Sequence, residues 1–178
     1  TETFEKEEGN PYKTGQSSGF DAGLDAKIGI TSDITLDLTV NPDFGQVEAD
    51  PSQVNLTALE IFFQERRPFF LEGNNILDFP VSQMGSSNLF YSRRVGRPAQ
   101  GYADADLNGD DGVTEYVKPV GRTTILGAAK LTGKNKKGFS WGVLESVTGK
   151  SFAEIDSLGV KRKVLVEPLT NYLVARAQ

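Results

Sequence analysis

Alternation of apolar and polar residues is the feature of this sequence that most restricts its fold. Apolar side chains occupy every second position in residues 24–30, and the same period returns in residues 34–40. Successive side chains of a β-strand point to opposite faces, so this period predicts two strands with one apolar and one polar face each. Residues 31–33 (Thr-Ser-Asp) have turn chemistry and would join them as a hairpin. This pattern fits both a barrel with a wet lumen and a soluble sandwich.

Further strands are predicted downstream. Residues 123–132 and 139–148 flank a Gly- and Lys-rich turn, and residues 160–166 and 170–177 resemble a second strand pair. Residues 88–97 are interpreted as a strand or strand end with a basic tip. Small residues thin the first of these hairpins, so another backbone or a plug can approach it closely; they are Gly127, Ala128, Ala129 and Gly142. No apolar run approaches the roughly 18 residues of a membrane helix.

Two segments lack a clean strand period. Residues 1–19 are polar, charged and turn-rich, and are predicted to be a flexible linker. Residues 41–80 begin with loop chemistry and contain a candidate short helix at residues 56–63, ended before Pro68. Long ordered insertions are usually functional, and the aromatic residues of this one must pack against another part of the protein. We therefore expect a plug-like insertion at 41–80.

The absence of two residue types limits the chemistry. The 178 residues include no His and no Cys, which excludes a Ser-His-Asp triad, a thiol nucleophile, a disulfide and a His/Cys zinc site. The formal net charge is -5, from 19 Lys+Arg and 24 Asp+Glu, and this mild acidity argues against nucleic acid as a partner. Any site must therefore rely on carboxylates, Lys, hydroxyl groups or an oxygen-bound metal.

An acidic loop at residues 99–120 contains a calcium-type spacing. With Asp104 as position 1, oxygen-bearing side chains fall at positions 3, 5, 7 and 12, and glycine falls at position 6. The predicted calcium ligands are Asp104, Asp106, Asn108, Asp110 and Glu115. The flanks resemble strands rather than helices, so a calcium-loaded β loop is favoured over an EF-hand. The alternative is a solvated acidic surface loop.

Charged residues of the insertion and of the basic tip are the other candidates. Two carboxylates about 5–9 Å apart could hydrolyse a glycoside, and the weak catalytic candidates are Glu48, Asp50, Glu60 and Glu65. The simpler interpretation is that arginine–carboxylate pairs fix the plug to charged lumen residues. Arg93, Arg94 and Arg97 could attract anionic substrates or lipopolysaccharide phosphates, or could pair with acidic neighbours.

Several long motifs resemble a known family. The most specific is LDLTVNPDFGQVEADPSQVNLTALEIFFQERRPFFLEG (36–73), followed in order by NLFYSRRVGR (88–97), ILGAAKLTGK (125–134), WGVLESVT (141–148) and VEPLTNYLVAR (166–176). These motifs are similar to the uncharacterised DUF5916 group of bacterial envelope proteins, common in Bacteroidetes. The resemblance implies an outer-membrane β-barrel preceded by a carbohydrate-binding family 9-like domain. A hydrolase activity attributed to the family rests on analogy alone.

Together these observations predict an all-β, antiparallel chain built of hairpins. Residues 20–178 are expected to be the N-terminal part of a barrel domain in the bacterial outer membrane. The expected function is binding or passage of a nutrient such as a glycan; the alternatives are a carboxylate-based glycan hydrolase and a soluble calcium-binding β domain. The expected partners are the remainder of the parent chain, membrane lipid, and glycan or lipopolysaccharide.

Overall fold

The computed structural model describes residues 2–3, 6–7, 9–14, 16–17, 22–42, 64–79, 88–109, 112–118 and 120–178. These residues form short antiparallel sheets and very little helix. The strands are β1 Glu2–Thr3, β2 Gln16–Ser17, β3 Leu24–Thr31, β4 Ile34–Val40, β5 Glu115–Lys118, β6 Ile125–Lys134, β7 Ser140–Thr148, β8 Ser151–Ser157, β9 Val160–Glu167 and β10 Thr170–Ala177. The helices are α1 Pro68–Leu71 and α2 Asn74–Leu77.

The chain divides into two compact units. The first contains residues 1–21, 96–124 and 148–170, and the second contains residues 22–95, 125–147 and 171–178. In the first unit, β5, β8 and β9 form a sheet in that order, and β1 pairs with β2. Tyr12 donates a hydrogen bond from its hydroxyl to Glu154 of β8 at 3.1 Å, so part of the predicted N-terminal linker contacts a strand within this unit.

The second unit is built on a five-stranded sheet of order β10-β7-β6-β4-β3. Antiparallel pairing places Ile28 opposite Leu36, and Leu36 opposite Leu131. The next row joins Lys27, Asp37 and Lys130 in the same way. Because neighbours along a strand face opposite sides, the apolar row lies on one face of the sheet and the charged row on the other.

The charged row belongs to the buried face of this sheet. Asp37, Thr39 and Lys130 are each at most 7% exposed, whereas apolar residues of the opposite face are much more exposed. The latter include Leu24, Ile28, Val40, Val143 and Leu173. The polarity is therefore the reverse of that expected for a soluble sheet, in which the apolar face is the buried one.

A small hydrophobic core covers the buried face. Phe69, Phe70 and Leu77 from the two helices pack with Val95 against the sheet, where the contacting residues are Ile125, Ala128 and Leu144. Tyr172 and Val174 of β10 pack against the same cluster. This face of the sheet is consequently shared between a few apolar contacts and a set of buried polar side chains.

The structure confirms the alternating hairpin but corrects other expectations. Residues 24–31 and 34–40 are paired strands as predicted. Strands β9 and β10 do not pair with each other, because β9 pairs with β8 and β10 with β7. Residues 88–97 are not a strand, since Ser92–Arg94 form a 3₁₀ turn. The helix predicted at 56–63 lies outside the described residues.

Proline explains where the insertion becomes helical. Pro68, expected to end a helix, instead occupies the first turn of α1. Proline at this position sacrifices no helical hydrogen bond, because the first N–H groups of a helix have no acceptor within the helix. The fixed φ of proline also suits the helical backbone.

The helices in the described part of the chain are too short and too polar to span a membrane.

Candidate functional site

A buried ammonium group joins the helical insertion to the sheet. Lys130 is 1% exposed, and its Nζ donates hydrogen bonds to the carbonyl oxygens of Phe69 and, at 2.6 Å, Glu72. The same Nζ lies 3.4 Å from Asp37 Oδ2 and 4.8 Å from the centre of the Phe69 ring. Burial lowers the pKa of Lys130, and the negative charge of Asp37 acts in the opposite direction. Lys130 therefore holds the last carbonyls of α1 against the sheet.

A second buried cation, Arg67, fixes the start of α1. Its Nε and Nη2 donate to the two carboxylate oxygens of Glu65 at 2.9 and 2.7 Å. It also donates to the carbonyl oxygens of Val95 at 2.7 Å and Ser92 at 2.8 Å. The guanidinium lies 4.1 Å from the centre of the Phe70 ring. A planar guanidinium with several donors suits such a bidentate, aromatic-backed position better than lysine does.

Glu65 was one of the candidate catalytic carboxylates, and the structure gives it fixed partners. Burial alone would raise its pKa, but hydrogen bonds and charge from Arg67, together with the Ser92 hydroxyl, outweigh burial and lower the pKa to about 2. A carboxylate with so low a pKa is a poor proton donor or acceptor near neutral pH. Its geometry is that of an arginine-paired anchor. Glu48, Asp50 and Glu60 lie outside the described residues.

Gly142 allows the second helix to approach the sheet. A Cβ atom at this position would lie 2.9 Å from Ile76 Cγ2 and 3.1 Å from Leu77 Cδ2. These distances are shorter than normal carbon contacts, so a larger residue would push α2 away from β7. The close approach predicted for the small residues of this hairpin is thus confirmed at Gly142.

The acidic loop surrounds a separate recess in the first unit. Asp104, Asp106, Asn108 and Glu115 line this open depression of about 800 Å³, with Arg162 of β9. The Asp106 carboxylate accepts the Gly109 N–H at 2.9 Å, and the Glu115 N–H donates to the Asp106 carbonyl at 2.8 Å. Gly109 has a φ of 73°, which favours glycine there. Asp110 lies outside the described residues.

Arg162 occupies the carboxylate at the final position of the calcium-type loop. Its Nη2 donates to Glu115 Oε2 at 2.8 Å and to the Asp104 carbonyl at 3.1 Å. A hydrogen bond from the Asp106 N–H, together with Arg162, lowers the pKa of Glu115. Within the described part of the chain, no three acidic side chains converge closely enough to hold a metal ion. A calcium ion that bound the Glu115 carboxylate would therefore have to displace the Arg162 side chain from it.

Lys130 of the buried cluster and Arg162 of the acidic-loop recess were not identified from the sequence. Lys130 is the one charged residue between Ile125 and Gly133 of β6, and such isolation was a usable signal for a buried partner. Arg162 stands beside Lys161 and Lys163 in an exposed strand, where nothing distinguishes it. Register across β8 and β9, rather than local pattern, brings Arg162 to the acidic loop.

Comparison with known proteins gives a match to a protein family. A family model described as "Domain of unknown function (DUF5916)" matches residues 3–176. No curated protein matches the chain, and no solved structure matches it. The match covers nearly the whole sequence and includes both the five-stranded sheet and the acidic loop. The chain belongs to the DUF5916 family.

Proposed function

We propose that this chain is part of an outer-membrane β-barrel, with the insertion at 41–80 acting as a plug on the inner side of the barrel wall. The observation that carries the proposal is the reversed polarity of the five-stranded sheet. Charged and hydroxyl side chains lie on its covered face, and Leu24, Ile28 and Leu173 are exposed on the other. Barrel strands in a lipid bilayer alternate in this way, with apolar residues outward and polar residues toward the lumen.

The exposed apolar face supports lipid as its partner. Among the described residues, neither Leu36 nor Leu38 belongs to the hydrophobic core, although both sit on well-paired strands. A soluble sandwich would bury these rows against a second sheet. Lipid tails cover such a face without any further protein element, so the bacterial outer membrane is the proposed location.

Closure of the barrel requires strands beyond this sheet. In the described part of the chain, β3 and β10 are its outermost strands. Outer strands present unpaired N–H and C=O groups, which are costly in a bilayer. We therefore assign the remainder of the parent chain as the partner of both edges.

Nutrient binding or passage is the proposed activity, with a glycan as the ligand class. The recess of the acidic loop supports it, since Asp104, Asn108, Glu115 and Arg162 supply donors and acceptors beside the apolar Leu107. Sugars are bound by fixed polar side chains of this kind together with apolar contacts. Lipopolysaccharide, with its sugars and phosphates, is a second ligand of related chemistry. The hydrolase alternative has no support from Glu65, whose oxygens are held by Arg67 and Ser92.

Spin labelling of the complete protein in lipid vesicles tests the barrel. Single cysteines are introduced at Val143 and Leu173 on the exposed apolar face, and at Asp25 on the opposite face, in a background without other cysteines. Labels at the first two positions are expected to collide more with lipid-soluble oxygen than with an aqueous nickel complex, and the label at Asp25 less so. Equal preference for the aqueous complex at all three positions would contradict a lipid-facing sheet.

Calcium binding by the acidic loop is a second proposal, supported by four predicted ligands around one recess. Isothermal titration of the complete protein with calcium chloride should show heat that Asp104→Ala and Glu115→Ala both reduce. Arg162→Gln should strengthen binding, because it removes the cation that competes for Glu115. If the wild type and Arg162→Gln both give no calcium-dependent heat, the loop is a solvated acidic surface.

A further inference from the structure

A small cavity lies between α1 and the β3–β4 hairpin. Its volume is about 130 Å³, and its lining includes Asp25, Lys27, Asp37, Phe69 and Glu72. Since one water occupies roughly 30 Å³ of liquid, this is room for about four water-sized groups. The cavity therefore suits an ion or a few solvent molecules.

Asp37 lines this cavity, and one of its two carboxylate oxygens has no hydrogen-bond donor in the described part of the chain. The Asp37 side chain is 9% exposed, and its Oδ2 lies 3.4 Å from Lys130 Nζ. Its Oδ1 is buried without a hydrogen-bond donor among the described residues. Leaving a buried charged oxygen without a donor or a positive charge is costly.

Neither neighbouring lysine donates a hydrogen bond to this oxygen in the structure. An ammonium group has three N–H donors, and those of Lys130 are directed to the carbonyls of Phe69 and Glu72 and to Asp37 Oδ2. Lys27 Nζ is held by Glu72 Oε2 at 2.5 Å. In this arrangement both ammonium groups are directed to oxygens other than Asp37 Oδ1.

The charge of the group is also unbalanced. Three carboxylates line the cavity, namely Asp25, Asp37 and Glu72. Two ammonium groups, Lys27 and Lys130, pair with them. One negative charge is left over, and a single monovalent cation would balance it. A divalent ion would instead place excess positive charge beside both lysines.

We propose that this cavity binds one small monovalent cation, Na⁺ or K⁺, through Asp37 Oδ1 and the carboxylate of Asp25. Carboxylate oxygens are hard ligands that suit such ions. The ion would stabilise the contact between α1 and the β3–β4 hairpin, because its ligands lie on the strands that α1 covers. This site does not depend on the proposed barrel or on the calcium loop.

The melting temperature of the complete protein tests the site. It is measured at constant ionic strength in sodium, potassium and N-methylglucamine chloride, the last being too bulky for the cavity. Wild type is expected to melt about 3 °C higher in a small-cation salt, since a ligand that binds only the folded state stabilises it. Asp25→Asn should remove this difference. Asp33→Asn, in the exposed turn of the same hairpin, should retain it.

Direct binding is measured by sodium-23 NMR relaxation of the same proteins. Wild type should broaden the sodium signal more than Asp25→Asn does. Asp37→Asn is a second variant, but Asp25→Asn is decisive because Asp25 does not pair with Lys130. A cavity that holds only water gives equal melting temperatures in the three salts and no excess broadening, and either result overturns the proposal. Loss of the effect in Asp33→Asn would overturn it as well.

Discussion

Buried charges, together with a small apolar cluster, form the contact between the insertion and the sheet. Arg67 and Lys130 are each at most 3% exposed, and both bind backbone carbonyls as well as a carboxylate. Removing one partner of a buried pair leaves an uncompensated charge, which is strongly destabilising. The insertion is thus fixed at two points by groups whose release would be costly.

Glu65 should make stability depend on acid pH. Its pKa is lowered from 4.5 to about 2 in the folded protein. A depressed folded-state pKa contributes stability above the unfolded value, and this is lost as the pH falls from about 4.5 to about 2. The contribution is at most about 3 kcal/mol. Glu65→Gln should therefore reduce the fall in the free energy of unfolding over this acid range, the acid limb, as measured by urea unfolding of the complete protein.

The control for this change is Asp33→Asn, which removes a carboxylate in the exposed turn between β3 and β4. This substitution should leave the acid dependence close to that of wild type, because it breaks no buried ion pair. An unchanged acid limb in Glu65→Gln would show that the Arg67 pair does not contribute to folding stability.

The sequence pattern predicted the β3–β4 and β6–β7 hairpins, but it paired β9 with β10 incorrectly. Residues 24–40 carry their period locally, and the sheet faces follow from it. Strand β9 pairs with β8 and strand β10 pairs with β7, and both partners lie earlier in the chain. Strand β8 was not predicted, and nothing in the sequence of β9 identifies β8 as its neighbour. Non-local register of this kind is set by the whole sheet, so the sequence of one strand does not specify it.

The loop at 88–97 shows a different limit. Its apolar and basic residues resemble a strand, yet the carbonyl of Ser92 is held by Arg67 and that of Gln64 by Arg93. Side chains distant in sequence thus stabilise a 3₁₀ turn there. The calcium-type spacing of the acidic loop gives no sign of the arginine opposite Glu115, which comes from β9.

The packing of α2 on β7 gives a prediction at the level of elements. Gly142→Val should cost about 1–3 kcal/mol of stability, as overpacking does, because the added side chain meets Ile76 and Leu77. Gly29→Val on β3 is the matched control, since nothing lies within 4 Å of an added Cβ there. Denaturant unfolding of both variants measures the difference.

Truncation of the neighbour provides a second check. Ile76→Ala should recover part of the stability that Gly142→Val loses, because it removes the closest contacting side chain. Equal stability of Gly142→Val and Gly29→Val would contradict the close contact of α2 with the sheet.

For the molecule as a whole, the reversed polarity of the larger sheet is the basis of the proposed location in a membrane. In water, the exposed rows of Leu24, Ile28 and Leu173 would form an apolar patch of the kind that drives association. In a bilayer the same rows are favourable, and the polar face is kept for the inserted segment. The family match extends over both units.

A charge on the exposed face tests this environment. Leu173→Arg should destabilise the complete protein in lipid by about 2–4 kcal/mol if the residue lies near the bilayer centre. Ser32→Arg, in the exposed turn between β3 and β4, should have little effect. The measurement is reversible unfolding from vesicles. Equal stability of the two variants would place Leu173 in water.

The position of Lys130 also has a consequence for the order of folding. Its acceptors, the carbonyls of Phe69 and Glu72, precede it in the chain by 61 and 58 residues. Until α1 docks, the ammonium group of Lys130 on β6 lacks both those acceptors and the cover of the Phe69 ring. Pairing of β6 with β4 and docking of α1 on the sheet therefore stabilise each other. Because α1 is synthesised first, its carbonyls already exist when β6 becomes available to pair.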